Sequence, residues 1–129
     1  MKRLIGMVVV IIGVASLVMG IIFIMQAGSA RKTIADQITP VKMSELNATY
    51  DAVSAKQNAA IAAEEPQIQA GKAAPSAMYN YLSAQRALLG LAKSNVGIAG
   101  FLQTSGVLDI VLGVGLLLAG FAFTAKEKA

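Results

Sequence analysis

Two long apolar stretches, one near each end of the chain, dominate the hydropathy pattern. Residues 4–25 contain no charged side chain, and residues 96–123 contain one, Asp109. About 20 consecutive apolar residues are enough for a helix to cross a bilayer. The pattern therefore predicts an all-α membrane protein in which transmembrane helices at 4–26 and 96–124 pack as an antiparallel hairpin.

Apolar positions between the two stretches recur three or four residues apart, which is typical of amphipathic helices. The predicted extramembrane helices span residues 27–39, 41–63 and 76–95. Thr39 and Pro40 are expected to break the helix or to restart it, in which case they are the N-cap and first helical residue of the second helix. Two prolines and Gly71 predict a turn at 64–75. No stop signal precedes the second apolar stretch, so one continuous helix is expected from about residue 76 to residue 124.

Glycines recur every seven residues in both apolar stretches. The two series are Gly6, Gly13 and Gly20 in the first stretch and Gly106, Gly113 and Gly120 in the second. A single antiparallel register opposes all three pairs, and it would also make Ile34 and Ile38 face Ala92 and Leu88. Apolar side chains gain little when they leave lipid and pack against each other. Close approach of the two backbones must therefore supply much of the free energy of association. We therefore expect the glycines to form the packed helix face, within one chain or between copies of it.

Asp109 is the one ionisable residue in the two apolar stretches. It lies between Gly106 and Gly113 on the expected packed face, and the register places it beside Ser16. A carboxyl group in a membrane span is costly to insert, so we treat Asp109 as a candidate functional residue. In a structural role, a protonated Asp109 would hydrogen-bond to Ser16, with help from Ser105, or to a polar or basic group of another subunit.

Two other roles for Asp109 stay open. It could lie at a wet interface or line an oligomeric pore together with Gln103, Thr104 and Ser105. A glycine-faced hairpin with one acid in its second helix also resembles the rotor-ring subunit of ATP synthases, and that resemblance implies proton or cation carriage by Asp109. The chain departs from that family in two respects, because a long helical segment separates its spans and its glycines are spaced by seven.

The composition fits a membrane protein and excludes several kinds of chemistry. Hydrophobic residues make up 56% of the chain, against about 45–50% in a typical soluble domain. The absence of Cys and His excludes disulfides, His-ligated haem, common zinc sites and Ser-His or Cys-His catalysis. We therefore expect a non-enzymatic protein that needs no metal or cofactor.

The basic residues flank the apolar stretches, where they would anchor helix ends at lipid headgroups. They include the N-terminal flank 1–3 and the charged tail 125–129, and the net charge is +4. No basic run with interleaved aromatic residues predicts a nucleic-acid partner. The two sides of the hairpin carry similar numbers of bases. The signal-anchor character of the N-terminus then favours a cell-membrane protein with both termini in the cytoplasm and residues 27–95 outside.

Three functional interpretations follow from the sequence. The first is an accessory or structural subunit in the lipid bilayer that packs against a larger integral membrane complex or forms a homo-oligomer. The second is a self-assembling, holin-like two-helix pore with Asp109 facing the lumen. The third is a small membrane sensor whose outer helices bind a ligand.

Overall fold

The computed structural model describes residues 2–125, and these residues form helices and connecting turns without strands. The elements are α1 at Lys2–Gln37, a 3-10 turn at Met43–Glu45, α2 at Leu46–Gln69 and α3 at Ala77–Ala125. The predictions of an all-α chain and of two long apolar helices that pack together are confirmed. Met1 and residues 126–129, which hold most of the predicted charged tail, lie outside the described residues.

The contacts of the chain divide it into two compact units. The first, which we call the apolar helix pair, combines the chain up to Arg31 with the chain from Ile98 onward. The second, the three-helix unit, is Lys32–Gly97. Each unit has its own kind of interior.

Within the described residues, the apolar helix pair buries only small ones. They are Gly6, Gly13, Gly20 and Ala27 of α1 and Ala99, Gly106, Gly113 and Gly120 of α3. The large apolar side chains of the described part of this unit stay exposed or half-buried. Both helices are long and apolar enough to cross a membrane, and only 11% and 17% of their most apolar windows are buried. Each helix therefore contributes one narrow stripe of glycine and alanine to the contact.

The three-helix unit has a core of larger side chains. It is built from Ile34, Ile38, Leu46, Val53, Leu82, Leu89 and Ala92. Leu88 is 54% exposed and lines a surface cavity together with Ile38 and Ala92, as expected, whereas Leu89 is buried in the core. Leu82 and Leu89 are two turns apart on one face of α3, whereas Leu88 is rotated by about 100° from that face.

Thr39 and Pro40 follow the end of α1 instead of starting the next helix. Thr39 Oγ1 donates a hydrogen bond of 3.1 Å to the carbonyl oxygen of Ala35, one of the terminal carbonyls that lack an amide partner in the helix. The Thr39–Pro40 peptide bond is cis, and α2 begins only after the 3-10 turn at Met43–Glu45. The predicted N-cap role of Thr39 is therefore wrong.

Helix α2 continues through Pro66, beyond its predicted end. A proline inside a helix removes one backbone hydrogen bond and costs about 3 kcal/mol. The helix stops instead in a Schellman motif, in which the Lys72 amide bonds to the Gln67 carbonyl at 2.9 Å. The Gly71 amide bonds to the Ile68 carbonyl, also at 2.9 Å. Gly71 has a φ of +67°, a conformation that favours glycine at this position.

Two glutamates of α2 hold the start of α3. Glu64 accepts hydrogen bonds from the Ser76 amide at 2.9 Å and the Ser76 hydroxyl at 2.7 Å. The Tyr79 amide donates to Ser76 Oγ at 3.0 Å, so Ser76 caps α3. The Tyr79 hydroxyl donates to Glu65 at 2.9 Å. These bonds tie the C-terminal part of α2 to the start of α3, and those from Ser76 lower the pKa of Glu64.

Protonation of Glu64 should loosen this junction. Because folding lowers the pKa of Glu64, the stabilisation is present above the pKa of an unperturbed Glu, about 4.3, and is lost as pH falls through the folded pKa. Hydrogen exchange should therefore show a falling protection factor for the Tyr79 amide below about pH 4. Ser76→Ala should lower protection at neutral pH and remove most of this pH dependence. The control Asp51→Asn should keep it. Constant protection of the unmodified chain across this pH range would contradict the role of Glu64.

Candidate functional site

The predicted glycine pairs lie backbone to backbone in the apolar helix pair. A Cβ atom added to Gly20 would lie 2.6 Å from the Gly106 carbonyl oxygen, and one added to Gly106 would lie 2.7 Å from that of Gly20. For Gly13 and Gly113 the corresponding distances are 3.0 and 2.8 Å. For Gly6 and Gly120 they are 3.1 and 3.0 Å. The contact thus leaves no space for a methyl group without movement of the opposite backbone.

Each glycine also provides space for a side chain of the opposite helix. A Cβ added to Gly106 would lie 2.9 Å from Ile24 Cγ1. One added to Gly113 would lie 2.7 Å from Leu17 Cγ, and one added to Gly120 would lie 2.6 Å from Val10 Cγ2. Ile110 Cγ1 lies 2.8 Å from the position at Gly20, and Thr124 Cγ2 lies 2.9 Å from that at Gly6. The sequence analysis missed these residues. The sequence could have identified them, because each is a branched side chain that follows one of the contacting glycines of its own helix by four residues, which is one helical turn.

The remaining glycines of the apolar stretches do not share this environment. A Cβ added to Gly97, Gly100 or Gly115 would meet nothing within 4 Å. The spacing of seven therefore identifies the glycines in close contact, whereas glycine content alone does not. Gly115 lies two residues from Gly113, which makes it a matched control position.

Asp109 is half-buried at the edge of the glycine contact. Ser16 Oγ donates a 3.0 Å hydrogen bond to the backbone carbonyl oxygen of Asp109. The hydroxyl hydrogen of Ser16 is therefore directed to the backbone of Asp109, and a bond in which a protonated carboxyl group donates to Ser16 Oγ stays a prediction. Within residues 2–125, nothing donates a hydrogen bond to the Asp109 carboxyl group or forms an ion pair with it.

The other polar residues near Asp109 do not converge on one face. Ser105 is half-buried, like Asp109, whereas Gln103 is exposed. Thr104 Oγ1 donates to the Gly100 carbonyl of its own helix at 3.1 Å, so its hydroxyl is satisfied locally. The stretch 103–105 therefore places polar atoms around the helix and does not concentrate them beside the carboxyl group.

A second polar cluster connects α2 with α3 in the three-helix unit. Arg86 donates to Gln57 Oε1 at 2.9 Å, and Gln57 Nε2 donates to Ser83 Oγ at 3.0 Å. A hydrogen bond with Arg86 lowers the pKa of the Tyr50 hydroxyl, and Lys93 Nζ lies 5.0 Å from the centre of the Tyr50 ring. These bonds bind side chains of the unit to each other, which makes the cluster a cross-link between helices.

The described residues contain no group of three or more His, Cys, Asp or Glu side chains that could hold a metal ion. The chain matches no family model, no curated protein and no solved structure. Its function is therefore inferred from the glycine contact, from Asp109 and from the apolar surfaces.

Alanine substitutions should distinguish the stability contributed by the glycine contact from the effect of alanine on helix propensity. Gly113→Ala forces a Cβ to within 2.8 Å of the Gly13 carbonyl oxygen, and overpacking of this kind costs about 1–3 kcal/mol. Gly115→Ala meets nothing within 4 Å and should leave stability unchanged or raise it by up to about 1 kcal/mol. The measurement is the unfolding midpoint in a titration of mild-detergent micelles with sodium dodecyl sulfate. Equal midpoints for the two variants would show that the close approach contributes nothing.

Proposed function

We propose that this chain is a non-enzymatic integral membrane protein that serves as an accessory subunit of a larger integral membrane complex. In this proposal the apolar parts of α1 and α3 form an antiparallel transmembrane hairpin, and the three-helix unit lies outside the bilayer. Both termini lie on the cytoplasmic side of the cell membrane, as the basic flank before an uncleaved signal anchor favours.

The observation that carries the proposal is the exposure of large apolar side chains around both long helices. Leu4 is 69% exposed, Ile11 67%, Phe101 70% and Leu118 67%. Contiguous apolar surface of this extent is rare on a soluble monomer, whereas lipid is a suitable solvent for it. A core helix of a soluble protein would be mostly buried, but here only 11% and 17% of the two windows are.

The order of the glycine contacts supports the hairpin. Gly6 is paired with Gly120 and Gly20 with Gly106, so positions ascend along one helix as they descend along the other. The same contacts favour retention of the first apolar stretch, because Gly13 and its neighbours fill the interface with α3. A removable leader would leave the glycine stripe of α3 without its partner.

Two apolar surfaces are available to a larger complex. Within the membrane, most of the circumference of each helix can contact other helices as well as lipid. In the three-helix unit, large apolar side chains are exposed along α3. They are Met78, Tyr81, Leu88 and Leu91, at 54–63% exposure. Such a stripe outside the bilayer is typical of a protein interaction surface.

A self-assembling pore is the second candidate function, favoured by the carboxyl group of Asp109 that lacks a partner in the described chain. A pore would require several polar groups on one lumen-facing side. Gln103 is exposed while Asp109 is half-buried, and Thr104 bonds within its own helix. This distribution supports a pore less well than it supports a single contact at Asp109.

Cysteine pairs should test the hairpin in a chain that has no native cysteine. A Cβ at position 113 would lie 2.7 Å from Leu17 Cγ, so Leu17→Cys with Gly113→Cys places a sulfur within bonding reach. We expect oxidation in membranes to give an intramolecular disulfide, detected as a shifted monomer band. The matched pair Leu17→Cys with Gly115→Cys should stay reduced. Cross-linked dimers from the first pair, without the monomer shift, would assign the glycine stripe to contacts between copies.

Extraction from native membranes in a gentle detergent should test the accessory role. The native mass should correspond to a heteromeric complex that contains other integral membrane proteins, and this chain should become less abundant when those proteins are missing. A homogeneous species whose mass is a multiple of 13.3 kDa would contradict the accessory role and favour the pore.

A further inference from the structure

Asp109 is the one charged residue in the apolar segments of this chain. Residues 4–25 carry no charge, and residues 96–123 carry only this acid. Its backbone carbonyl is 3.0 Å from Ser16 Oγ, which places it at the level of Ser16 along α1. Ser16 lies within about 3 Å, measured along the helix axis, of the midpoint of the charge-free stretch. In the proposed hairpin, Asp109 is therefore near the centre of the bilayer.

The carboxyl group is left without a partner at this depth. Ser16, the hydroxyl nearest in the register, donates to the backbone of Asp109. Ser105 is one turn away on α3, but no hydrogen bond joins it to the acid within the described chain. Ionisable groups inside a membrane are nearly always paired with one another or with backbone carbonyls. The group is only half-buried, so another helix can reach it.

A second copy of this chain cannot supply a counter-charge. Neither apolar stretch contains Lys, Arg or His. The bases that flank the two stretches, Arg3, Arg31, Lys93 and Lys126, all lie outside the segments that would occupy hydrocarbon. A basic side chain opposite Asp109 must therefore come from a different protein.

We infer that Asp109 binds a Lys or Arg side chain presented near mid-bilayer by a transmembrane helix of a partner protein. The inference rests on the proposed accessory role and specifies the chemistry of the partner. Each of the two charges is unfavourable in hydrocarbon when its own protein is alone. Pairing removes the net charge, so this contact favours the assembled complex over the separate subunits and specifies the axial position of the partner helix.

A defined peptide can replace the unidentified partner in a test. The full chain, labelled at a single Lys72→Cys, is reconstituted in phosphatidylcholine vesicles with a polyleucine transmembrane peptide that carries one central Lys. Matched peptides carry Gln or Leu at the same position. Energy transfer between labels on the chain and on each peptide then gives the association constant in the membrane.

We expect the Lys peptide to associate about tenfold more tightly than the Leu peptide, in line with polar contacts of 1–2 kcal/mol between model helices. Asp109→Glu should retain this preference, whereas Asp109→Asn should reduce it to less than about twofold. As a control for polarity at an exposed site, Val111→Asn should leave it unchanged. Equal association of the Lys and Leu peptides would overturn the inference. So would a Gln peptide that binds as tightly as the Lys peptide, since the contact would then be a neutral hydrogen bond.

The same variants separate this inference from the accessory role. If the native complex is heteromeric and Asp109→Asn releases this chain from it, both are supported. If the heteromeric complex survives Asp109→Asn intact, the accessory role stands and the charge pairing is wrong. If native membranes contain only homo-oligomers of this chain, the accessory role fails, and the inference about its partner fails with it.

Discussion

The close approach of α1 and α3 at their glycines is the constraint on which the apolar helix pair depends. In the membrane setting proposed for this pair, hydrophobic burial drives association weakly, so the gain must come from packing of backbone against backbone. Only a residue without a side chain permits this at Gly20 and Gly106, where an added Cβ would lie less than 3 Å from the opposite carbonyl oxygen. The absent side chains at these two glycines in turn create the space that Ile110 and Ile24 fill.

The two units bury different kinds of residue. The apolar helix pair buries glycine and alanine and leaves its large side chains exposed or half-buried, an arrangement that suits the lipid environment proposed for it. The three-helix unit buries Ile34, Leu46 and Leu89, because removal of large apolar surface from water is what stabilises a small helical unit. Its connection between α2 and α3 is instead held by hydrogen bonds, such as those from Ser76 to Glu64, which lie at an exposed site.

Asp109 is the one charged residue of the two apolar stretches, and packing does not explain its carboxyl group. In the proposed transmembrane hairpin, a leucine in its place would be cheaper to insert and would fit the exposed apolar surroundings. The cost of a carboxyl group there is offset only by an interaction, and the described chain supplies none to its carboxyl oxygens. A single carboxyl group on an otherwise apolar surface would let a membrane helix distinguish a partner with a matching polar group from the many helices that are wholly apolar.

The sequence by itself determined the helical class, the two apolar helices and which glycines lie in contact, because each depends on periodicity along a single chain. The tertiary structure decided features that depend on competition between partners. Thr39 bonds backward to α1, α2 continues past Pro66 to the Schellman motif at Gly71, and Ser16 donates to the backbone of Asp109 instead of its carboxyl group. In each case several acceptors or conformations were compatible with the local sequence, and only the positions of neighbouring atoms selected one.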